Sequence, residues 1–416
     1  MMLAGIPLDF ILFALVLLGV AVFHHHTLRV AVIGLFVIAV YKLGFGDFHG
    51  VPGIEGLLAL LGHEGVTIFN LFGLLLGFAL LTKHFEASGV PALLPRFLPG
   101  DWRGCFLMLV GVFVLSSFLD NIAAAMIGGT MAQVLFRSRV HVGFLAAIVA
   151  ASNAGGAGSV VGDTTTTMMW IAGVPPQQVL DAYVAAVPAL LFFGFFAARQ
   201  QHAFEPIRHD DHAGGAVDFW RLAVVAIILL SAVGANVYFN QRHPQLLERW
   251  PVLGLAVWVA IGLTGWLRRP DWSLLPGAAR GAVFLLALVL CAAMMPVENL
   301  PAASWQNAFG LGFVSAVFDN IPLTALALHQ GGYDWGFLAY AVGFGGSMVW
   351  FGSSAGVALA GMFPEARSVG AWVTGGWHVA VAYVIGFAVL LFTLGWHADA
   401  PHRSSAGSPI SIEAKP

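Results

Sequence analysis

The chain has 416 residues, of which 59% are hydrophobic and only 9% are charged. Soluble domains carry about 25% charged residues, so this composition excludes an ordinary soluble protein. Apolar runs long enough to cross a bilayer predict an all-α polytopic membrane protein. The formal net charge of −3 offers no basic field for nucleic acid. Both cysteines, Cys105 and Cys291, lie in apolar runs and indicate neither a disulfide framework nor a thiolate metal site.

Changes in composition divide the chain into six predicted units: N-terminal spans (1–65), a first repeat (66–199), a cytoplasmic linker (200–218), peripheral spans (219–280), a second repeat (281–397) and a disordered tail (398–416). About ten transmembrane helices are expected, at 8–23, 28–45, 66–82, 140–172, 181–199, 219–238, 251–267, 281–297, 335–363 and 369–395. Two of these runs, 140–172 and 335–363, contain glycine-rich stretches that predict helices broken at mid-membrane.

Two further runs, 104–136 and 303–334, each carry an Asp-Asn pair near the middle. The first run is too long for one straight helix across a hydrocarbon core of about 30 Å. An Asp at the bilayer centre costs about 2.5–3.5 kcal/mol on insertion scales and is by default a candidate functional residue. We therefore expect two re-entrant hairpins, with Asp120-Asn121 and Asp319-Asn320 at their tips.

The halves of the chain resemble each other in the order of their motifs. After each Asp-Asn pair comes a broken run with a Gly-Gly pair, Gly155-Gly156 in the first half and Gly345-Gly346 in the second. These glycines permit close approach of the backbone to an ion or, equally well, simple packing against a neighbouring helix. Several matches in one order predict an internal repeat.

Basic residues predict the orientation of the repeats in the membrane. Lys83 and Arg103 precede the first hairpin and Arg139 follows it, so both of its flanks are expected in the cytoplasm. The flanks of the second hairpin have no Lys or Arg and are expected outside, as are both termini. The repeats are then inverted, an architecture common in secondary transporters. This topology places Arg242 and Arg249 outside, contrary to the rule that basic residues favour the cytoplasmic side.

Oxygen-bearing side chains next to the predicted breaks supply the groups that a hard cation needs. The candidate ion and proton ligands are Asp163, Asp120, Asp319, Asn121, Asn320, Thr164, Thr165, Asn153 and Ser353. Burial favours a protonated carboxyl group and a bound cation favours the charged form, so one carboxylate can bind either. Asp163 is the first choice because four threonines follow it in the break. Each Asp can instead cap a half-helix, and each Asn can simply hold a hairpin tip.

Several segments together resemble the NhaD-type sodium/proton antiporters of the ion-transporter superfamily, which also includes citrate, dicarboxylate and arsenite carriers. The matching segments are Phe-Leu-Asp-Asn (118–121), Asn-Ala-Gly-Gly (153–156), Gly-Asp-Thr-Thr-Thr (162–166), Val-Phe-Asp-Asn-Ile-Pro-Leu-Thr (317–324), Gly-Gly-Ser-Met (345–348) and Gly-Ser-Ser-Ala-Gly-Val-Ala (352–358). The resemblance implies inverted repeats, two re-entrant hairpins and an elevator-like cycle that exchanges Na⁺ or Li⁺ for H⁺. Ala123-Ala124-Ala125 departs from the family pattern, which usually has hydroxyl residues there.

These features favour an antiporter of the bacterial inner membrane, with Na⁺ and H⁺ as transported ions, no cofactor, the lipid bilayer as partner and a possible homodimer. Sodium is expected at Asp120, Asn121, Asp163, Asp319 and Asn320. Two alternatives stay open. An organic-anion or oxyanion carrier of the same superfamily would attract its substrate with half-helix N-termini, although no Lys or Arg lies near the predicted tips. An intramembrane aspartyl enzyme would need Asp120 and Asp319 to meet.

Overall fold

The computed structural model describes residues 2–3, 6–23, 26–207 and 216–399. Apart from two small hairpins of two-residue strands, Met2–Leu3 with Ile6–Pro7 and Asp47–Phe48 with Val51–Pro52, the described secondary structure is helical. This confirms the all-α fold class. Part of the predicted linker, 208–215, and nearly all of the predicted tail, 400–416, lie outside the described residues.

The helices of the first half follow the apolar runs of the sequence. They are α1 (Leu8–Val22), α2 (Thr27–Phe45), α3 (Gly53–Glu86), α4 (Val90–Leu93), α5 (Trp102–Ser116), α6 (Asn121–Leu135), α7 (Val142–Ala157), α8 (Thr164–Ile171), α9 (Pro176–Leu180) and α10 (Ala182–Phe204).

The second half has the same alternation of long helices and short interrupted ones. Its helices are α11 (Phe219–Arg242), α12 (Pro244–Arg249), α13 (Val252–Thr264), α14 (Leu275–Ala293), α15 (Trp305–Ser315), α16 (Asn320–Gln330), α17 (Trp335–Gly345), α18 (Ser354–Met362), α19 (Val369–Gly375) and α20 (Trp377–Thr393).

Two predicted boundaries do not coincide with helix ends. Helix α3 begins at Gly53 and has 34 residues, so the expected division between 1–65 and 66–199 falls inside it. Glu55 and Glu64 do not end the helix because glutamate is a good helix former. Helix α10 continues to Phe204, beyond the expected start of the linker at 200.

Five helical segments in the described part of the chain are long and apolar enough to cross a membrane. The pair α19 and α20, which bends by 58°, makes a sixth if it forms one span. The chain is therefore a multi-pass membrane protein, as its composition predicts. The expected total of about ten spans also counts shorter apolar helices such as α1 and α13, and it stays a prediction.

The helices pack in two groups. The α3 group consists of α1, α2, α3, α11, α13 and α14, and the α7 group consists of α5–α8, α10 and α15–α20. The main contacts between the groups are made by α14 with α16 and by α3 with α8. In the α3 group the crossing of α3 and α13 is close, because Gly73 lies against Gly254 and the Asn70 side chain accepts a hydrogen bond from the N–H of Gly254 at 3.0 Å.

Corresponding contacts recur in the two halves of the α7 group. Helix α5 packs on α7, and α15 packs on α17 in the same way. The Ser116 hydroxyl donates to the main-chain oxygen of Ser152 at 2.5 Å, and the Ser315 hydroxyl donates to that of Val342 at 2.7 Å. The helices also cross over between the halves, because α6 packs on α18 and α16 packs on α8. All of the broken segments therefore meet in one region of the α7 group.

Candidate functional site

Asp163 lies in the break between α7 and α8 and is only 2% exposed. Its Oδ1 accepts a hydrogen bond from the N–H of Thr165 at 3.0 Å and caps the first turn of α8. The hydroxyls of Thr166 and Thr167 each donate to the main-chain oxygen of Asp163 at 2.9 Å. The threonine run thus fixes the short helix that begins at the carboxylate.

An amide from each hairpin reaches Asp163. Asn121, the first residue of α6, donates through Nδ2 to Asp163 Oδ2 at 3.2 Å. Asn320, the first residue of α16, donates through its Nδ2 to the same oxygen at 3.4 Å. Both asparagines are buried, with 6% and 3% of their surfaces exposed. The structure therefore brings together three residues that the sequence singles out, from positions far apart in the chain.

Asn153 connects the two halves instead of facing an open site. Its Nδ2 donates to the hydroxyl of Ser347 at 2.9 Å and to that of Ser353 at 3.1 Å. Its Oδ1 accepts from Asn121 Nδ2 at 3.1 Å. The amide is fully buried and both of its ends are bonded to protein. Asn153 is therefore placed to position Asn121, and an ion would have to displace one of these bonds to reach it.

Asp120 and Asp319 cap the helices that they precede. Asp120 Oδ2 accepts from the N–H of Ile122 at 3.1 Å, and Asp319 Oδ1 accepts from that of Ile321 at 3.0 Å. Asp319 Oδ2 also accepts from the hydroxyl of Ser354 at 3.1 Å. The capping alternative therefore matches their geometry.

The three carboxylates do not converge on one point. In the described residues no group of three or more His, Cys, Asp or Glu side chains is placed to hold a metal ion. Each carboxylate lies at the start of its own helix, and the expected sodium site at Asp120, Asn121, Asp163, Asp319 and Asn320 stays a prediction. Asp163 with the two amides is the part of that set that the structure does assemble.

The remaining candidate oxygens lie around this centre. Thr164 lines a cavity that reaches Asp163. The Thr165 hydroxyl is fully buried beside the Asp163 carboxylate, but it makes no hydrogen bond of good geometry. Ser353 caps α18 by accepting from the N–H of Gly356 at 3.3 Å and also binds Asn153.

The four glycines of the breaks are required for packing. A Cβ on Gly155 would collide with the main-chain oxygen of Phe113, and one on Gly345 would collide with that of Gly312. A Cβ on Gly156 would lie 2.7 Å from the main-chain oxygen of Gly162, and one on Gly346 would lie 2.7 Å from that of Gly352. These positions have no room for a side chain, so neighbouring backbone explains them without an ion.

A cavity of about 480 Å³ between the two helix groups reaches Asp163. Asp120, Asp163 and Thr164 line one part of it, and Lys83 and Glu86, near the end of α3, line another. Lys83 and Glu86 pair with each other at 3.1 Å and are 42% and 37% exposed, so this part of the cavity lies near solvent. The charge rule predicts that this end of α3 is cytoplasmic.

A second cavity, of about 280 Å³, reaches the tip of the other hairpin. It is lined by Asp319 and Ser354 together with apolar residues of α1, α14 and α18, and it also lies between the two helix groups. Each hairpin tip therefore faces a cavity at the boundary between the groups.

Sequence reasoning missed some polar members of the site. Ser347 is fully buried and binds Asn153, and Ser354 binds Asp319. A signal was present for Ser354, because it follows Gly352 as Thr164 follows Gly162 in the first break, whereas Ser347 corresponds to the apolar Ala157. Ser116 and Ser315 bond to α7 and α17, and their signal was that each lies four residues before the Asp of an Asp-Asn pair.

Comparison with known proteins adds one informative match. No family model matches the chain. A curated relative, sodium/proton antiporter 1 of Arabidopsis thaliana, is 26% identical over 397 aligned residues. The match covers 85% of this chain and 66% of the relative, so the chain spans slightly less than two thirds of the relative's length.

Proposed function

We propose that this protein exchanges Na⁺ or Li⁺ for H⁺ across a membrane by alternating access. The similarity to a sodium/proton antiporter supports exchange of these ions and favours a transporter over an enzyme. The single observation that carries the proposal is the environment of Asp163. It is a buried carboxylate in a broken membrane helix, and amides from both hairpins donate to it.

The charge of Asp163 needs a neutralising partner. Neither Asp163 nor Asp120 nor Asp319 forms an ion pair with a basic residue in the described part of the chain. A buried ionised carboxylate without a counter-charge is costly. A proton or a small cation supplies that counter-charge, and the two exclude each other on one carboxylate. This competition is sufficient for antiport if only the neutralised site crosses between the two faces.

The two helix groups support a cycle in which one moves against the other. The breaks and hairpins all belong to the α7 group, whereas both cavities lie at its boundary with the α3 group. A displacement of the α7 group along this boundary would carry Asp163 from one side to the other. An inverted arrangement of the repeats would make the two end states equivalent. The cavity beside Lys83 corresponds to an inward-open state in this scheme.

The composition of the larger cavity favours a cation over an organic anion or oxyanion. Two carboxylates, Asp120 and Asp163, line it, and its basic residue, Lys83, is paired with Glu86. A citrate or arsenite carrier would place an anion among these acidic groups without a free cationic partner. The location that we propose is the bacterial inner membrane, and a homodimer is compatible with the exposed apolar helices.

Purified protein in liposomes with a trapped pH dye tests the proposal. A pre-formed pH gradient should be dissipated by NaCl or LiCl and should persist with choline chloride. Sodium citrate and sodium arsenite should act no faster than NaCl at equal Na⁺. Absence of a Na⁺ or Li⁺ response from neutral to alkaline pH, in protein shown to be correctly inserted, would refute the proposal. A response that needs the organic anion would instead support the carrier alternative.

A further inference from the structure

The corresponding contacts of the two halves set a residue-by-residue register between α7 and α17. The Ser116 hydroxyl bonds the main-chain oxygen of Ser152, and the Ser315 hydroxyl bonds that of Val342. The next residues along the chain, Asn153 and Gly343, are therefore structural counterparts. The same register pairs Gly155 with Gly345, which make matching contacts with α5 and α15.

This counterpart pair is strongly asymmetric. In the first half Asn153 fills its place with an amide whose two ends are bonded to protein. In the second half Gly343 has no side chain, and it faces Asp163. A Cβ built on Gly343 would lie 3.7 Å from Asp163 Oδ2 and 3.3 Å from the Cβ of Ala157. Gly343 therefore borders the same carboxylate oxygen that receives the two amide N–H groups.

Local conformation does not explain a glycine at this position. Gly343 lies inside α17, where alanine is favoured over glycine. The contact with Ala157 would be tight, but the contact with Asp163 Oδ2 would be at ordinary van der Waals distance. An alanine would thus fit after a small adjustment, and its methyl group would lie against Asp163 Oδ2.

We infer that Gly343 is a specificity-determining residue that keeps the third side of Asp163 Oδ2 open, so that a cation of the size of Na⁺ can lie against the carboxylate. Asn121 and Asn320 cover two approaches to this oxygen, and Gly343 leaves another one free. The inference rests on the proposed cation/proton exchange. It adds that the exchange has a size limit, because narrowing the space beside Asp163 Oδ2 excludes Na⁺ more than the smaller Li⁺.

Three variants in liposomes separate this role from simple packing. Gly343→Ala narrows the space. Ala157→Gly combined with Gly343→Ala removes the contact with the Ala157 methyl group and leaves only the one with Asp163. Gly310→Ala is the matched control, because an added Cβ there meets nothing within 4 Å in α15. The readout is the concentration of Na⁺ or Li⁺ that gives half-maximal dissipation of the pH gradient.

We expect Gly343→Ala to raise the half-maximal Na⁺ concentration by about tenfold, with a clearly smaller change for Li⁺. The double variant should keep this change in selectivity, and Gly310→Ala should behave as wild type. Rescue by Ala157→Gly, or an equal loss for both ions, would overturn the inference and leave a packing role. If wild-type protein does not respond to Na⁺ or Li⁺, the proposed function fails, whatever the variants do.

Discussion

Asn320, the first residue of α16, donates a hydrogen bond at 3.4 Å to Asp163, in the break between α7 and α8. This contact joins the two halves of the chain at the carboxylate that we propose to exchange ions. Asn121 makes the equivalent contact from the first hairpin. Asp163 is thereby joined to the starts of α6 and α16, and all three belong to the α7 group that we propose to move.

Asn320→Ala should weaken cation binding without unfolding the protein. It removes an N–H donor that favours the ionised carboxylate over the protonated one, so protons should compete more strongly with Na⁺ and the half-maximal Na⁺ concentration should rise. The half-maximal Na⁺ concentration in the liposome assay measures this effect. Asn307→Ala is the control, since that amide bonds the main-chain oxygen of Ala302 at an exposed helix start. Equal behaviour of the two variants would contradict the role of Asn320.

Ala123→Cys should be accessible from the cytoplasmic side. Ala123 lines the larger cavity beside Asp120, whereas its neighbour Ala124 is fully buried. A membrane-impermeant thiol reagent should modify Ala123→Cys in inside-out vesicles, faster than in right-side-out ones, and should leave Ala124→Cys unmodified. The background is low because Cys105 and Cys291 are buried. Faster modification in right-side-out vesicles would reverse the orientation deduced from the basic residues.

Gly155→Ala should destabilise the packing of α5 on α7. The added methyl group would collide with the main-chain oxygen of Phe113, which cannot move without the helix. Overpacking of this kind costs about 1–3 kcal/mol, and more where backbone must shift. The melting temperature in detergent should fall. Gly111→Ala, on α5 with nothing within 4 Å of the added Cβ, should melt like wild type. A wild-type melting temperature for Gly155→Ala would refute the tight crossing.

Asp218 should stabilise the protein in a pH-dependent way. The hydrogen bond from Arg268 Nε at 2.7 Å, together with backbone N–H groups at the start of α11, lowers the pKa of Asp218. A carboxyl group with a lowered folded-state pKa stabilises above its unfolded pKa and loses this contribution as the pH falls through the folded value. Asp218→Asn should therefore lower the melting temperature at neutral pH and not in acid. A difference in melting temperature between Asp218→Asn and wild type that is the same at neutral and acidic pH would rule out the ionic contribution.

Local sequence was sufficient to predict that helices begin anew after three aspartates in apolar runs, whereas the re-entrant hairpins stay a prediction. Asp120, Asp163 and Asp319 each interrupt an apolar run, and each does precede a helix that begins at the next residue. Such a signal is local, because a polar residue at mid-membrane needs a helix end or a partner. The start of α3 was missed for the opposite reason, since Glu55 and Glu64 are compatible with helix.

The connections within the site could not be predicted in this way. The Asn153 amide binds Ser347 and Ser353 in the other half of the chain, and no periodicity or spacing encodes such a pairing. The same holds for Gly343, whose importance depends on its distance from Asp163. The sequence named Asp120, Asn121, Asp163, Asp319 and Asn320 for sodium, and it could not say that the two amides would both bond to Asp163.

The most direct test is Na⁺-dependent proton flux in liposomes that contain Asp163→Asn beside wild-type protein. Asparagine has nearly the same shape and can still cap α8, so the fold should be retained, with an unchanged melting temperature as the check. It carries no charge and cannot alternate between a proton and a cation. We predict flux no greater than in protein-free liposomes for this variant and Na⁺-dependent flux for wild type. Wild-type flux in folded Asp163→Asn would contradict the assignment of the exchanged charge to Asp163.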